Sequence, residues 1–348
     1  MLYEMTPDDF TFLMEIFQPI GPDRFINAAI AILLVMLGGM IIGPRLDFAG
    51  PILWLPVIKI FGLLAKKLDS PKRSEPDRIT RGFFIALFAI LFMGALGVYL
   101  QELQPFLAGW GRIVEVLLLS FCLRAGALWL SVIRLYLTID GKLKQSPGTY
   151  RILARTSRID LSARDDFTLT RTAAETSARM FDKGIVAPAL WYLLSGLPGA
   201  FIYMTLAALT WYGAGDGQKR GTVTVSAALE RILGFIPNYL SGLFTILSLL
   251  LVPTSSLKTS FTQIFRSKKT YPYACGGRPV SALAEILGMA LGGSATLIDG
   301  TAIKRPWTGP KGATAQLGTD HMKRVIYTMF IAHLYFLAAV LGAVFWAY

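Results

Sequence analysis

The chain is poor in the residues that build disulfide frameworks and histidine metal sites. Its 348 residues include two cysteines, Cys122 in an apolar run and Cys275 in a basic segment, and two histidines, His321 and His333. Two cysteines exclude a disulfide framework and a cysteine-rich metal site. Because the histidines are twelve residues apart and His333 lies in an apolar run, we expect a polar packing role for His333 rather than a metal-ligand pair.

Charged residues are also scarce. They make up 16% of the chain, whereas hydrophobic residues make up 54% and the mean hydropathy is +0.53. A soluble protein of this size would carry about 25% charged residues, so the composition predicts a membrane protein. The first 24 residues are acidic and contain one basic residue, unlike a signal peptide, and we therefore expect the first apolar run to remain as a span.

Long apolar runs determine the predicted fold class, which is an all-α polytopic membrane protein in a single domain, 1–348. Crossing a hydrocarbon core takes about 20 helical residues. Six stretches qualify or nearly qualify: 25–42, 82–100, 113–137, 184–212, 232–252 and 325–346. Pro188, Pro198 and Gly199 interrupt the fourth stretch, which predicts either one kinked span or two re-entrant pieces.

The basic residues alternate with these runs. Of 34 Lys and Arg residues, 27 lie in three segments, with 8 in 43–81, 9 in 138–183 and 10 in 253–324. Cytoplasmic loops are enriched in Lys and Arg, so we predict that all three segments face the cytoplasm of a bacterial inner membrane. The amino terminus and the connections 101–112 and 213–231 are then predicted outside. The amphipathic stretch 52–68 is predicted to lie in the interface.

The motifs that the sequence lacks restrict its function. There is no Walker-type phosphate loop, no HExxH and no GxSxG nucleophile elbow. No recognisable nucleic-acid motif accompanies the net charge of +12, and the loop bias already explains that charge, so we expect no nucleic-acid partner. No inverted repeat is evident, which weakens a membrane carrier as an alternative without removing it.

Several segments resemble the CobD/CbiB family of cobalamin biosynthesis proteins. Residues 171–191 and 195–203 are similar to the family block RAxxETxAENxxDGxxAPLFW and the GGxPGAxxY that follows it. Residues 226–237 resemble SARxDDxxNxxPARL, residues 287–293 resemble ALGxxLGG, and residues 304–309 resemble the closing KPxxG. These matches keep the family order over about 150–310.

The resemblance implies an enzyme that joins aminopropanol or its phosphate to adenosylcobyric acid by ATP-dependent amide formation at the cytoplasmic membrane face. It implies a corrinoid substrate, ATP and Mg²⁺ if that activity is retained, and a lipid bilayer around the spans. A membrane protein partner is implied by an alternative, a non-catalytic membrane regulator or complex subunit like the related AmpE proteins.

The chain departs from the family pattern at polar positions. Arg179, Met180 and Lys183 stand where the resemblance places an acid, an amide and an acid, and Ala207 and Thr210 replace an Asn and an Asp further on. A divalent cation held by oxygen ligands would lose several ligands and meet positive charges instead. Whether catalysis survives therefore stays open.

Six residues are the candidate site. Glu175 and Asp182 are the candidate catalytic acids, and the candidate substrate-binding residues are Arg171, Lys304, Arg305 and Trp307. Glu175 has a second interpretation, since Arg171 and Arg179 at i−4 and i+4 would pair with it on one helix face. Asp182 is either a substitute ligand or a helix-end charge. The basic residues of the 304–307 element either bind an anion such as phosphate or are ordinary inner-loop charges.

Overall fold

The computed structural model describes residues 21–44, 47–70, 72–107, 109–144, 147–162, 165–213, 221–251, 273–274 and 276–347. The α-helices are α1 Pro22–Ile42, α2 Trp54–Val57, α3 Leu63–Leu68, α4 Glu75–Glu102, α5 Gly111–Cys122, α6 Gly126–Ile139, α7 Pro147–Ser157, α8 Asp166–Phe181, α9 Ala187–Gly213, α10 Thr224–Leu233, α11 Phe235–Leu247, α12 Gly277–Leu287 and α13 Thr319–Ala347. The π-helical turns are Ile58–Gly62 and Asp182–Val186, and the 3-10 turns are Gln104–Leu107, Gly221–Val223 and Ser248–Leu250. Strands β1 Ala295–Thr296 and β2 Ala302–Ile303 pair antiparallel, with Ala295 opposite Ile303.

The predicted fold class is confirmed. Among the described residues, four helices are long and apolar enough to cross a membrane, and the number rises to six if two bent helix pairs each count as one span. The bent pairs are α5 with α6, and the 221–233 helix with the helix that follows it to Leu250. The stretch predicted to lie in the interface forms the short pieces α2, Ile58–Gly62 and α3, none of which is long enough to span.

Arg124 lies at the break between α5 and α6. Its backbone N–H donates to the Gly184 carbonyl at 2.8 Å, and its Nη2 donates to the Gly43 carbonyl at 3.1 Å. The intramembrane Arg thus faces protein backbone, as expected for a charge that lipid would not solvate. Close helix packing continues beyond the break, since a Cβ on Gly39 of α1 would lie 2.8 Å from the Ala127 nitrogen.

The fourth predicted span is a helical hairpin. Within α9, Gly196 has φ 67° and ψ −157°, which interrupts the helix. Lys183 and Tyr203, twenty residues apart, are joined by a hydrogen bond of 3.1 Å, although twenty residues of straight helix would span about 30 Å. The chain therefore reverses near Gly196, and of the two predicted alternatives the two-piece one agrees with the structure.

This reversal corrects one predicted loop position. We predicted residues 213–231 at the end opposite the basic segments, but the start of this connection lies among them. Trp211 donates to the Thr156 carbonyl at 3.0 Å, and Arg158 donates to the Tyr212 carbonyl at 3.0 Å. The connection 101–112 lies at the other end, where Arg112 pairs with Asp23. The prediction failed because it treated 184–212 as one straight crossing, whereas the chain reverses near Gly196.

Helix α8 carries the first candidate residues and begins at a defined cap. Asp165 has an extended backbone, and its side chain accepts a hydrogen bond from the Thr168 N–H at 2.8 Å. This satisfies one of the amide groups that have no partner in the first helical turn. The cap thereby fixes where α8 starts relative to the loop before it.

The cap predicts a pH effect at the start of α8. Hydrogen bonds from Thr168 hold the pKa of the Asp165 carboxyl below its usual value of 3.8. A carboxyl whose pKa is lower in the folded state than in the unfolded state stabilises the fold above the unfolded-state pKa. This stabilisation is lost as the pH falls through the folded-state pKa. We expect Asp165→Asn, which still caps, to lose less thermal stability than the unmodified chain between pH 5 and pH 3. Equal losses would contradict this role.

Candidate functional site

Glu175 is the centre of one buried polar cluster. Its side chain is 1% exposed. It accepts hydrogen bonds from the Tyr273 hydroxyl at 2.6 Å, from the Gly292 N–H at 2.7 Å and from Arg305 Nη1 at 2.7 Å. Arg305 also donates to the Gly293 carbonyl at 3.0 Å. These three donors, one of them cationic, tie the loop after α12 to helix α8.

The pairing of Glu175 within α8 that the helical spacing predicted is wrong. The structure pairs Glu175 with Arg305, 130 residues away. The Arg171 guanidinium instead lies over the Trp307 ring, 5.2 Å from its centroid, and the Arg179 guanidinium lies 4.4 Å from the Tyr273 ring centroid. Burial raises the pKa of the Tyr273 phenol above its usual range, which keeps this residue a hydrogen-bond donor to Glu175.

The 304–307 element separates into a buried and an exposed part. Arg305 is 7% exposed, whereas Trp307 is 52% exposed and Lys304 is exposed. Of the four candidate substrate-binding residues, Arg305 thus belongs to the ion pair with Glu175. Arg171, Lys304 and Trp307 remain for contact with a ligand.

Asp182 lies in a second buried cluster with Lys183, Glu230 and Tyr203. The Lys183 ammonium forms an ion pair with Glu230 and lies 3.4 Å from Asp182 Oδ2. It also donates to the Tyr203 hydroxyl at 3.1 Å. Asp182 is fully buried and accepts from the Ser241 hydroxyl at 3.2 Å. The helix-end interpretation of Asp182 is therefore wrong, because the helix continues through it and the carboxylate points into protein.

Asp182 and Lys183 lie in a π-helical turn. They begin the turn Asp182–Val186 between α8 and α9, and all five of its residues are buried. The regular helix before it is also surrounded by protein, because every residue from Thr172 to Phe181 is buried. Single-turn π-bulges inside α-helices occur frequently at functional sites.

The polar positions at which the chain departs from the family surround one narrow internal cavity. Its lining residues are Trp54, Arg179, Met180, Lys183, Ala207, Thr210, Trp211 and Glu230. Three buried atoms in this lining, Trp54 Nε1, Thr210 Oγ1 and Glu230 Oε2, have no hydrogen-bond partner in the described part of the chain. A bound water could satisfy such atoms. The residues that depart from the family pattern therefore line the same cavity.

The residues of this second cluster do not fit Mg²⁺. That ion needs an octahedral set of oxygen ligands, but the ammonium of Lys183 already lies between the carboxylates of Asp182 and Glu230. Arg179 adds a further positive charge to the cavity wall. Within the described ranges, no group of three or more His, Cys, Asp or Glu side chains is close enough to hold a metal ion.

The prediction for His333 is confirmed. Its ring packs between Trp129 and Phe181, with centroid separations of 4.8 Å and 4.5 Å. Nδ1 lies 2.6 Å from the Met329 carbonyl oxygen. His321 lies at the start of α13, where its Nδ1 accepts from the Gly318 N–H at 3.3 Å.

Sequence reasoning missed three residues that complete the clusters. Tyr203 and Glu230 were within segments that carry the resemblance, but they were not named as site residues. An acid in the amphipathic helix α10 was the available signal for Glu230, which is 1% exposed. No sequence signal indicated Tyr273, because it lies outside the segments that carry the resemblance.

Comparisons with known proteins identify the family of this chain. The model of the family described as CobD/Cbib protein matches residues 40–329. The cobalamin biosynthesis protein CobD of Brucella anthropi is 28% identical over 216 residues, which cover 61% of this chain and 65%, just under two thirds, of that protein. The cobalamin biosynthesis protein CobD of Clostridium perfringens is 25% identical over 262 residues, 72% of this chain and 80% of that protein.

An archaeal relative extends the comparison. The probable cobalamin biosynthesis protein CobD of Pyrococcus abyssi is 25% identical over 269 residues, 76% of this chain and 83% of that protein. No solved structure matches the chain. The family model covers both polar clusters from Glu175 to Arg305, and the chain belongs to the CobD/CbiB family.

Proposed function

We propose that this chain functions in cobalamin biosynthesis and joins aminopropanol, or its phosphate, to adenosylcobyric acid by ATP-dependent amide formation. Family membership and the names of the relatives support the pathway. The specific amide-forming reaction is inferred from the resemblance to the CobD/CbiB family. The proposal includes a bacterial inner membrane, with the end that holds the basic segments facing the cytoplasm.

One observation carries the proposal: three segments of the family pattern meet at Glu175. Glu175 belongs to the first block, Gly292 to the LGG segment and Arg305 to the KRPW segment, and the last two contact Glu175 across 117 and 130 residues. Amide formation needs the acid, the amine and the activating group held in one geometry. A rigid buried ion pair that fixes three segments can supply such a framework.

Two cations next to this framework, the half-buried Arg171 and the exposed Lys304, suit phosphate groups. Arg171 hydrogen-bonds the Thr168 hydroxyl and stacks on Trp307. Its charge acts on the Asp165 carboxyl, but the two groups do not form a close ion pair. Lys304 is exposed on the same loop as Trp307. Guanidinium and ammonium groups bind phosphate oxygens through charge-assisted hydrogen bonds. Arg171 and Lys304 then bind the phosphate group of the phosphate-bearing substrate, and the Trp307 ring provides an apolar contact surface beside them.

Mg²⁺ has no step in this proposal at Asp182 and Glu230, because the Lys183 ammonium already lies between their carboxylates. This observation favours a second candidate function, a non-catalytic membrane subunit of the same pathway. Such a subunit would bind a corrinoid or a membrane partner without turnover. Its buried ion pairs would then serve the fold alone.

Turnover by the purified full chain separates the two candidates. The protein in lipid nanodiscs would be incubated with ATP, Mg²⁺, adenosylcobyric acid and aminopropanol or its phosphate, and the corrinoid products identified by mass spectrometry. We expect the amide product. A folded preparation that binds adenosylcobyric acid but forms no product above a protein-free blank would remove the enzyme proposal and support the subunit.

Substitutions of Arg171 and Lys304 test the same proposal more directly. Arg171→Gln and Lys304→Gln are each expected to raise the KM for the phosphate-bearing substrate about tenfold, since a hydrogen bond to a charged group contributes about 1.5–3 kcal/mol. Lys142→Gln, a change at an exposed lysine far in sequence from both, is the matched control and should leave the KM unchanged. Unchanged KM values in all three variants would contradict the assignment.

A further inference from the structure

A separate cavity lies between the carboxyl end of α9 and the basic segments. Its volume is about 260 Å³. Small residues of four segments leave the space open, namely Gly62, Ala65, Gly82, Ala86 and Gly213. The remaining lining is part polar, with Lys66, Asp69, Arg158, Thr222, Ser226 and Asp299, and part apolar or aromatic, with Ile85, Leu209, Tyr212 and Val223. None of the candidate site residues lines it, so this cavity is distinct from both polar clusters.

Arg158 is held toward this cavity at a conformational cost. Its φ is +64°, a left-handed conformation that is uncommon for residues other than glycine. The neighbouring Ile159 forms a bridge with Leu297, and the Arg158 guanidinium donates to the Tyr212 carbonyl at 3.0 Å. Backbone strain of this kind persists where the surroundings impose it, and it concentrates at functional sites.

The Arg158 side chain keeps unused hydrogen-bonding capacity. Its guanidinium carbon lies 5.5 Å and 5.0 Å from the ring centroids of Trp211 and Tyr212. Its buried Nε has no hydrogen-bond partner in the described part of the chain. An arginine has five N–H donors, so this one can still bind an oxyanion that enters the cavity.

The charges around the cavity leave room for one negative charge. Asp69 is paired with Arg78 at 2.6 Å. Asp299 accepts from the Thr301 N–H at 3.0 Å. Although burial alone would raise the pKa of Asp299, the Thr301 hydrogen bonds and Arg158 hold it below its usual value. Arg78 does not line the cavity, but its ion pair neutralises Asp69. Of the lining charges, Lys66 and Arg158 then face the single carboxylate of Asp299, and two minus one leaves a net charge of +1.

We propose that this cavity binds a small amphiphilic molecule that carries a singly charged oxyanion group. The anion contacts Arg158 and Lys66, and the short apolar body lies against Ala65, Ala86 and Leu209. Such a group can come from a soluble metabolite or from the headgroup of an anionic lipid. The inference does not depend on amide formation.

Calorimetry on the full chain in micelles tests the site with monobutyl phosphate and butyrate as anionic probes and butylamine as the cationic comparison. We expect both anions to bind and butylamine to bind at least tenfold more weakly. Arg158→Gln and Lys66→Gln should each weaken anion binding about tenfold, because each removes a charge-assisted hydrogen bond. Ala65→Leu should abolish binding, since it fills the cavity without changing a charge.

Lys67→Gln is the matched control, because Lys67 is the exposed neighbour of Lys66 and does not line the cavity. Lys66 is itself exposed, so its variant should fold even if Arg158→Gln does not. Equal binding of butylamine, or unchanged anion binding in both Lys66→Gln and Ala65→Leu, would overturn the proposal. Displacement of monobutyl phosphate by phosphatidylglycerol vesicles would identify a lipid headgroup as the natural ligand. Failure to displace it would identify a soluble metabolite instead.

Discussion

Lys183→Met is expected to lower the free energy of unfolding by about 3–5 kcal/mol, the usual cost of removing one partner of a buried ion pair. The variant leaves Asp182 and Glu230 buried without their shared ammonium group. Their side chains are 0% and 1% exposed, so water cannot replace it. Chemical denaturation of the protein in detergent micelles, followed by tryptophan fluorescence, would measure the change.

Two further variants establish that the loss comes from the ion pair. Lys142→Met changes a lysine that is 64% exposed and should have no measurable effect, since exposed ion pairs contribute little. Lys183→Met combined with Glu230→Gln should be more stable than the sum of the single changes predicts, because contacting residues are not additive. Simple additivity would show that Lys183 and Glu230 do not depend on each other.

Glu175→Gln is expected to cost a similar amount, about 3–5 kcal/mol, because it removes one partner of the buried ion pair between Glu175 and Arg305. The amide can still accept from the Gly292 N–H, so the backbone contact is retained while the charge is lost. The loop after α12 depends on this ion pair for its attachment to α8. We therefore expect faster tryptic cleavage at the exposed Lys304 and Lys311.

Glu102→Gln, a change at an exposed acid at the end of α4, is the matched control and should leave the cleavage rate unchanged. Glu175→Gln combined with Arg305→Met removes both charges and should recover part of the lost stability. If Glu175→Gln unfolds at the same denaturant concentration as the unmodified chain, the ion pair does not hold the loop.

The six candidate residues were predicted from a resemblance, and the structure gives them different surroundings. Glu175 and Arg305 contact each other, although they were proposed for separate roles. Asp182 lies in the other cluster with Lys183. Arg171 and Trp307 stack on each other beside the first cluster. Their roles in catalysis and binding stay predictions, whereas their neighbours are now known.

The departures from the family pattern have a common structural meaning. Lys183 replaces an acid and by itself would be an uncompensated buried charge, which is expensive. The structure shows that Glu230, 47 residues away, supplies the compensation. Lys183, which replaces an expected site acid in the sequence, is therefore part of a buried ion-pair cluster in the folded chain.

The membrane helices of this protein follow from its sequence alone, because the length and hydrophobicity of each apolar run are local properties. The hairpin at Gly196 and the partners of Glu175 and Lys183 could be identified only in the folded chain. Pro198 and Gly199 indicated an interruption of the fourth stretch, but whether the chain bends or reverses there depends on how the helices pack around Gly196. A buried charge likewise pairs with the opposite charge that helix packing brings near, and the residues beside it along the chain do not identify that partner.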